Sequence, residues 1–145
     1  MLPLCIAACQ SGTGQQISER APSGLEQVPL TVRTADGKLH RFTVEVARSP
    51  QEQATGLMNR QDLAPDRGMI FPYEAPQQVS YWMKNTFIPL DIIFVRPDRT
   101  IGRIETAIPL NLEPVPSLEP ITAVLEIPGG RAAELGIKPG DRVSW

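Results

Sequence analysis

Proline is the residue that most restricts what this chain can fold into. There are 15 prolines in 145 residues, about twice the usual share of ~5%. Proline is excluded from helix interiors and central strands because it lacks a backbone N–H and clashes with the preceding turn. The helices and strands must therefore be short and joined by fixed connections.

Between the prolines, alternating and β-branched segments predict short strands. We expect strands over residues 28–34, 39–47, 69–71, 78–84, 90–95, 101–108, 121–127 and 142–145. Short helices are predicted from Ser49 to about residue 58 and over residues 130–135, because a capping residue starts the first and Gly136 ends the second. The predicted fold class is α+β, mainly β: a compact, partly closed mixed sheet of about seven or eight short strands with two short helices.

Turn signals separate these segments. Asp36-Gly37 predicts a type I′ hairpin between the first two strands. Pro72 is expected to stop the third strand, and Lys138 to Asp141 matches a type II turn. These signals predict that each connection is tight or extended rather than helical.

The N-terminal segment predicts export. Residues 2–9 are apolar and end in small residues before Cys9, and they resemble the bacterial lipobox, in which that cysteine is lipidated. Residues 10–27 are rich in Ser, Gly, Gln and Pro, as in a flexible tether, and residues 28–145 form the single domain. We expect a periplasmic or cell-envelope lipoprotein held to the membrane through Cys9. The alternative is that Cys9 is a small apolar residue in a frayed tail, since no Lys or Arg precedes the apolar run.

Composition excludes several function classes. The net charge of −2 comes from interspersed acidic and basic residues, so we expect no nucleic acid partner. The domain has no cysteine and one histidine, His40, which makes a Ser-His-Asp or Cys-His nucleophile improbable. No phosphate loop, dinucleotide-binding glycine pattern or zinc ligand set is present. We expect no cofactor, no metal and a monomer.

Five segments carry a family resemblance. They are GLMNR (residues 56–60), GMIF (68–71), WMKNT (82–86), IPLD (88–91) and VLE (124–126). In their order and spacing these segments resemble the domain-of-unknown-function 192 family, over about residues 44–143. The resemblance implies a small α+β fold and implies no activity.

The densest motif, residues 82–91, predicts a polar site. Asp91 interrupts an otherwise apolar strand, and a buried carboxylate needs a partner, for which Lys84 and Arg60 are the candidates. One interpretation is structural: an ion pair with an Asn85 turn. The other is a small-ligand pocket with an aromatic platform and converging polar groups. Its predicted lining is Arg60, Trp82, Lys84, Asn85, Asp91 and Glu126.

A non-enzymatic binding module for a sugar or a small anionic metabolite is the function that this site favours. One alternative is a carbohydrate-active hydrolase, in which Asp91 and Glu126 would form an acid–base pair. Another is a soft-metal site for copper, because Met58, Met69 and Met83 all fall in the five segments and thioethers prefer Cu(I). Methionine more often fills gaps in small cores, so the sequence leaves these functions open.

Overall fold

A computed structural model of the protein describes residues 20–145. The expected lipidation site, Cys9, lies outside the described residues. The strands are β1 Gln27–Arg33, β2 Leu39–Val46, β3 Arg67–Gln77, β4 Ser80–Tyr81, β5 Leu90–Val95, β6 Ile101–Ala107, β7 Val115–Pro116, β8 Ile121–Pro128 and β9 Arg142–Ser144. The helices are α1 Pro50–Thr55 and α2 Arg131–Leu135. Among the described residues, none of the helices has the length and apolarity needed to cross a bilayer.

One large mixed sheet organises the domain, in the strand order β6-β5-β8-β3-β2-β1-β9. The β2–β3 pair is parallel, and the other neighbours are antiparallel. The two edge strands approach each other, because Thr100 bridges Arg142 and the Ile101 N–H donates to the Asp141 carbonyl at 2.8 Å. The predicted fold class, a partly closed mixed sheet with two short helices, is confirmed.

Two hydrophobic cores lie on opposite faces of this sheet. The inner core takes side chains from all seven strands and from α2, with Phe42, Ile93 and Leu125 among its members. The outer core lies on β3, β5 and β8 and is covered by the connections around β4 and β7. Met69, Phe71, Ile92 and Val124 belong to it. A sheet covered on both faces explains why all six residues of β5 are buried.

Local sequence signals set the ends of both helices. The Ser49 hydroxyl caps α1 by accepting from the Glu52 N–H, and the Glu52 carboxylate accepts from the Ser49 N–H to complete a capping box. The helix ends at Thr55, three residues earlier than predicted, because Gly56 adopts φ +46°. Gly136 closes α2 with φ +70°, which is the conformation expected of a C-terminal glycine.

Three strand and turn predictions were wrong. β3 continues past Pro72 to Gln77, with an irregular register after the proline that accommodates the missing N–H. Only Ser80 and Tyr81 are strand within residues 78–84, so alternation does not fix the direction of Trp82 or Lys84. The first hairpin is not type I′, because Gly37 has positive φ and Asp36 does not.

Residues before residue 28 already belong to the folded domain. Arg20 bridges Glu26, and Ala21 is buried. The Ser23 hydroxyl also hydrogen-bonds to the Glu45 carboxylate. Residues 20–27, which we expected to end the tether, therefore form a turn that packs against the domain.

Candidate functional site

A cavity of about 350 Å³ opens beside the outer core. Its walls are α1 with the loop that follows it, β3, β4, the residue 82–86 turn, and β8. All five segments that carry the family resemblance contribute to the lining: Gly56, Leu57 and Met58, then Phe71, then Trp82 and Thr86, then Leu90, then Glu126. The volume falls within the usual range for small-molecule sites, ~300–1,000 Å³.

Glu126 supplies the one carboxyl group among the described residues that line this cavity. Its side chain faces the outer core, since it pairs with Met69 on β3 and Ile92 on β5. The residue is 5% exposed, and its carboxyl group has no hydrogen-bond or ion-pair partner within residues 20–145. Burial raises the pKa of Glu126 to about 8, so the group is mostly neutral at pH 7.

Two tyrosines stand near Glu126 in the cavity wall. The hydroxyl groups of Tyr73 and Tyr81 hydrogen-bond to each other. The Tyr81 ring packs edge-on against Phe71, with centroids 5.3 Å apart. Burial raises the pKa of both phenols, and the Glu126 carboxyl group adds to the effect. Both tyrosines therefore remain protonated, and both line the cavity.

Trp82 and Lys84 lie together at the surface. The Trp82 ring lines the cavity and is 49% exposed. The Lys84 ammonium stands 5.2 Å from the centroid of that ring, a cation–π geometry. Lys84 is exposed and is not part of the cavity lining. Trp82 thus lines the cavity, whereas the Lys84 ammonium lies over its ring outside the lining.

Asn85 forms a turn rather than a wall of the cavity. Its backbone has φ +53°, and its carbonyl accepts a hydrogen bond from the Asn59 N–H at 2.8 Å. Asn59 also has positive φ, at +65°. Asparagine tolerates this conformation better than most residues. The two asparagines therefore join the GLMNR segment to the WMKNT segment through the backbone.

Asp91 has different partners from those we expected. Its carboxylate accepts hydrogen bonds from the Thr106 hydroxyl at 2.7 Å, the Gly130 N–H at 2.9 Å and the Ala132 N–H at 2.8 Å. The expected pairing with Lys84 or Arg60 is wrong. The carboxylate instead satisfies N–H groups at the start of α2 that have no partner within that helix.

Arg60 is used in another ion pair. Its guanidinium binds the Glu45 carboxylate through two hydrogen bonds, one of them 3.0 Å long. Burial would raise the pKa of Glu45, but the hydrogen bonds from Arg60 and Ser23 outweigh it and hold the pKa below its usual value. Arg60 does not line the cavity that contains Glu126. Of the six predicted site residues, the structure brings Trp82 and Glu126 together in one cavity.

The two carboxyl groups of the hydrolase alternative project from opposite faces of the sheet. Glu126 pairs with Ile92, an outer-core residue, whereas Asp91 pairs with Ile127, an inner-core residue. Neighbouring residues on a strand point to opposite faces. Asp91 and Glu126 therefore do not flank a common substrate position, which an acid–base pair requires.

The three methionines occupy different surroundings. Met69 and Met83 are buried in the outer core, whereas Met58 lines the cavity. Of the three thioethers, the cavity lining includes that of Met58 alone. Within residues 20–145, no group of three or more His, Cys, Asp or Glu side chains is placed to hold a metal ion. This arrangement gives the copper alternative no shared set of sulfur ligands at the cavity.

Sequence reasoning missed the tyrosines and Thr86. Met69, Phe71 and Tyr73 are alternate residues of β3. A site predicted next to Phe71 could therefore have included Tyr73 on the same face. Tyr81 carries no comparable signal, because its position depends on β4 and on the turn that follows. Thr86 is buried in the lining, and its hydroxyl donates to the Lys84 carbonyl at 3.1 Å.

Comparison with known proteins places the chain in a family. The family model described as "Uncharacterized ACR", domain of unknown function 192, matches residues 31–145. The protein belongs to this family, and the predicted membership is confirmed. No curated protein matches the chain.

Two solved structures are similar over most of the chain. A protein of unknown function from Novosphingobium aromaticivorans is 46% identical, with a TM-score of 0.86, over 96% of this chain and 100% of that one. A protein from Sinorhizobium meliloti, described as a "putative transcription regulator", is 40% identical, with a TM-score of 0.81, over 83% of this chain and 94% of that one. Both share the fold.

Proposed function

We propose that this protein is an exported binding module, without catalytic activity, for a small sugar-sized molecule that occupies the cavity between Trp82 and Glu126. The observation that carries the proposal is the convergence of all five family segments on one cavity. Segments that are far apart in sequence supply apolar side chains, the Trp82 ring and the polar groups of Thr86 and Glu126. A purely structural role would not require them to surround a common empty volume.

The chemistry of the lining favours one of the two ligand classes considered from sequence. Among the described residues that line the cavity, none is Lys, Arg or His. A small anionic metabolite would therefore meet a carboxyl group without a compensating cation. A sugar-sized ligand would stack on the exposed Trp82 ring and exchange hydrogen bonds with Glu126 and Thr86.

Filling the cavity tests this function. We would measure the thermal stability of the protein with a panel of neutral monosaccharides, their amino derivatives and small ammonium compounds. A ligand at 100 times its dissociation constant adds about 2.7 kcal/mol to the free energy of unfolding. Ala54→Trp places a large ring at an exposed position of α1 that lines the cavity, and Gln51→Trp is the control on the same helix outside that lining.

We expect at least one panel member to stabilise the unmodified protein and Gln51→Trp, but not Ala54→Trp. Two results would overturn the proposal: no panel member stabilises the protein, or Ala54→Trp responds as the unmodified protein does. Nuclear magnetic resonance of the Trp82 indole N–H provides a second readout, because a bound ligand would shift that signal.

Export is tested separately in cells. The proposal rests on the lipobox-like residues 2–9 and the tether-like composition that follows them. Cys9→Ser should release the protein from the membrane fraction, and Cys5→Ser, in the same apolar stretch, should leave it attached. Unchanged membrane association of Cys9→Ser would refute lipidation at that residue.

A further inference from the structure

We propose that the cavity selects a small organic cation, whose ammonium group is held against the Glu126 carboxyl group and between aromatic side chains. This inference rests on the proposed function and names the ligand class for the same cavity. Its basis is the combination of an unpartnered carboxyl group, an aromatic wall and a lining without cationic side chains.

The first observation is the missing partner of Glu126. The side chain is 5% exposed, lines the cavity and makes no hydrogen bond or ion pair within residues 20–145. The other two buried carboxyl groups described above are both satisfied: Asp91 by backbone N–H groups and Thr106, and Glu45 by Arg60 and Ser23. Buried carboxyl groups in proteins, neutral or ionised, normally have a hydrogen-bond or ion-pair partner. An ammonium ion in the cavity supplies the partner that the fold leaves out.

The second observation is the aromatic surface around that carboxyl group. Trp82, Tyr73, Tyr81 and Phe71 all line the cavity. Ring faces attract cations, and aromatic cages are a common way to bind ammonium groups. The Lys84 ammonium already lies 5.2 Å from the Trp82 centroid. The Trp82 ring thus already makes a cation–π contact at the surface, outside the cavity lining.

Binding of a cation would be coupled to loss of a proton. Burial raises the pKa of Glu126 to about 8, so the free protein carries a neutral carboxylic acid at pH 7. A cation favours the carboxylate, so the Glu126 O–H proton passes to the buffer as the ligand binds. The other titratable groups in the lining are Tyr73 and Tyr81, and burial raises the pKa of both. The tyrosines do not titrate below the pKa of Glu126, so the proton that is released comes from Glu126.

Tetramethylammonium and tert-butanol are a suitable pair of probes. They have similar shapes, and tetramethylammonium keeps its charge at every pH. We expect titration calorimetry at pH 8 to show that tetramethylammonium binds at least tenfold more tightly than tert-butanol. The affinity for tetramethylammonium should rise about tenfold per pH unit as the pH approaches 8, because the ionised fraction of Glu126 changes by that factor. Above pH 8 the affinity should become constant. Calorimetry in buffers of different ionisation enthalpy should show release of close to one proton at pH 6 and little at pH 9.

Glu126→Gln is the matched variant, because it keeps the shape of the side chain and removes its charge. It should lose both the preference for tetramethylammonium and the pH dependence of binding. Glu119→Gln, at a half-exposed residue outside this cavity, should retain both.

Equal binding of the two probes, or unchanged tetramethylammonium affinity in Glu126→Gln, would overturn the inference. If neutral monosaccharides still bind and Ala54→Trp blocks them, the proposed function stands and only the ligand class is wrong. If no member of the panel binds, both proposals are wrong.

Discussion

Asp91 lies opposite Ile127, one residue past Glu126, so the two buried carboxyl groups of neighbouring strands point to opposite faces of the sheet. Asp91 faces the inner core and holds the start of α2 through two backbone N–H groups. Glu126 faces the outer core and a cavity, without a partner among the described residues. The first carboxylate therefore stabilises the fold, whereas the second is available to a ligand.

Replacement of Glu126 by Gln should remove a pH dependence of stability. The folded pKa of about 8 exceeds the ordinary value of 4.5, so the folded state binds more protons than the unfolded state between these values. The free energy of unfolding of the unmodified protein should then fall by about 1.4 kcal/mol per pH unit across that range and level off above it. The free energy of unfolding of Glu126→Gln should be close to that of the unmodified protein at pH 4 and exceed it by about 4–5 kcal/mol at pH 9. Urea unfolding across pH 4–9 measures this difference, and a constant difference would show that Glu126 is not buried and unpaired.

Asp91→Asn should destabilise the fold without affecting the cavity. The amide keeps one oxygen, but its NH₂ group would face a backbone N–H donor at the start of α2. Losing charge-assisted hydrogen bonds of this kind costs about 2–4 kcal/mol. Chemical denaturation measures the loss, and ligand binding well below the midpoint of unfolding should match that of the unmodified protein. A loss below about 0.5 kcal/mol would contradict the role of Asp91 as the support of α2.

Gly68→Ala should be more damaging than alanine at another crowded glycine. A Cβ on Gly68 would stand 2.3 Å from the backbone carbonyl oxygen of Glu126, so one of the two strands must move. Overpacking of this kind costs about 1–3 kcal/mol or more. At Gly102 the nearest atom, 2.1 Å away, is the end of the flexible Glu119 side chain.

Gly102→Ala is therefore the control for this comparison. It should cost less than about 1 kcal/mol, because the displaced Glu119–Arg96 ion pair is well exposed. Thermal unfolding of both variants measures the difference. Equal effects would show that the sheet can adjust near Glu126.

Arg60→Leu should lower stability at neutral pH and have less effect in acid. Without Arg60, the largely buried Glu45 carboxylate keeps the Ser23 hydroxyl as its partner, which should cost about 1–3 kcal/mol. The folded pKa of Glu45 is below its ordinary value, so this stability is present above the ordinary value and disappears as pH falls through the folded pKa. Unfolding at pH 7 and at progressively lower pH should show the variant and the unmodified protein converging. Binding in the cavity should be unchanged, since Arg60 does not line it.

Local features of the fold were predictable because their causes are local. The Ser49–Glu52 capping box fixes the start of α1, and the left-handed Gly136 fixes the end of α2. The apolar run of β5 indicated a central strand, which has the predicted bounds. The extension of β3 past Pro72 was not predictable in this way, because it depends on pairing with β8, a strand much later in the chain.

The candidate site could be predicted only in part from the sequence, for a related reason. Asp91 and Glu126 look alike in sequence, since each is an acid within an apolar strand. β5 and β8 are buried on both faces, so hydrophobic alternation does not reveal which face either acid occupies. The hydrogen-bond donors to Asp91 come from β6 and from the start of α2, and only the folded chain brings them together.

The short strand β9 pairs with β1 on one side and approaches β6 on the other, so the two edge strands of the large sheet, β6 and β9, lie next to each other. Val143 from this strand lies in the inner core, and no residue of β9 lines the cavity beside Glu126. Transient detachment of the three residues of β9 would admit water to the inner core and leave the cavity beside Glu126 unchanged. We therefore expect opening of β9 and ligand binding at the proposed site beside Glu126 to be independent of each other.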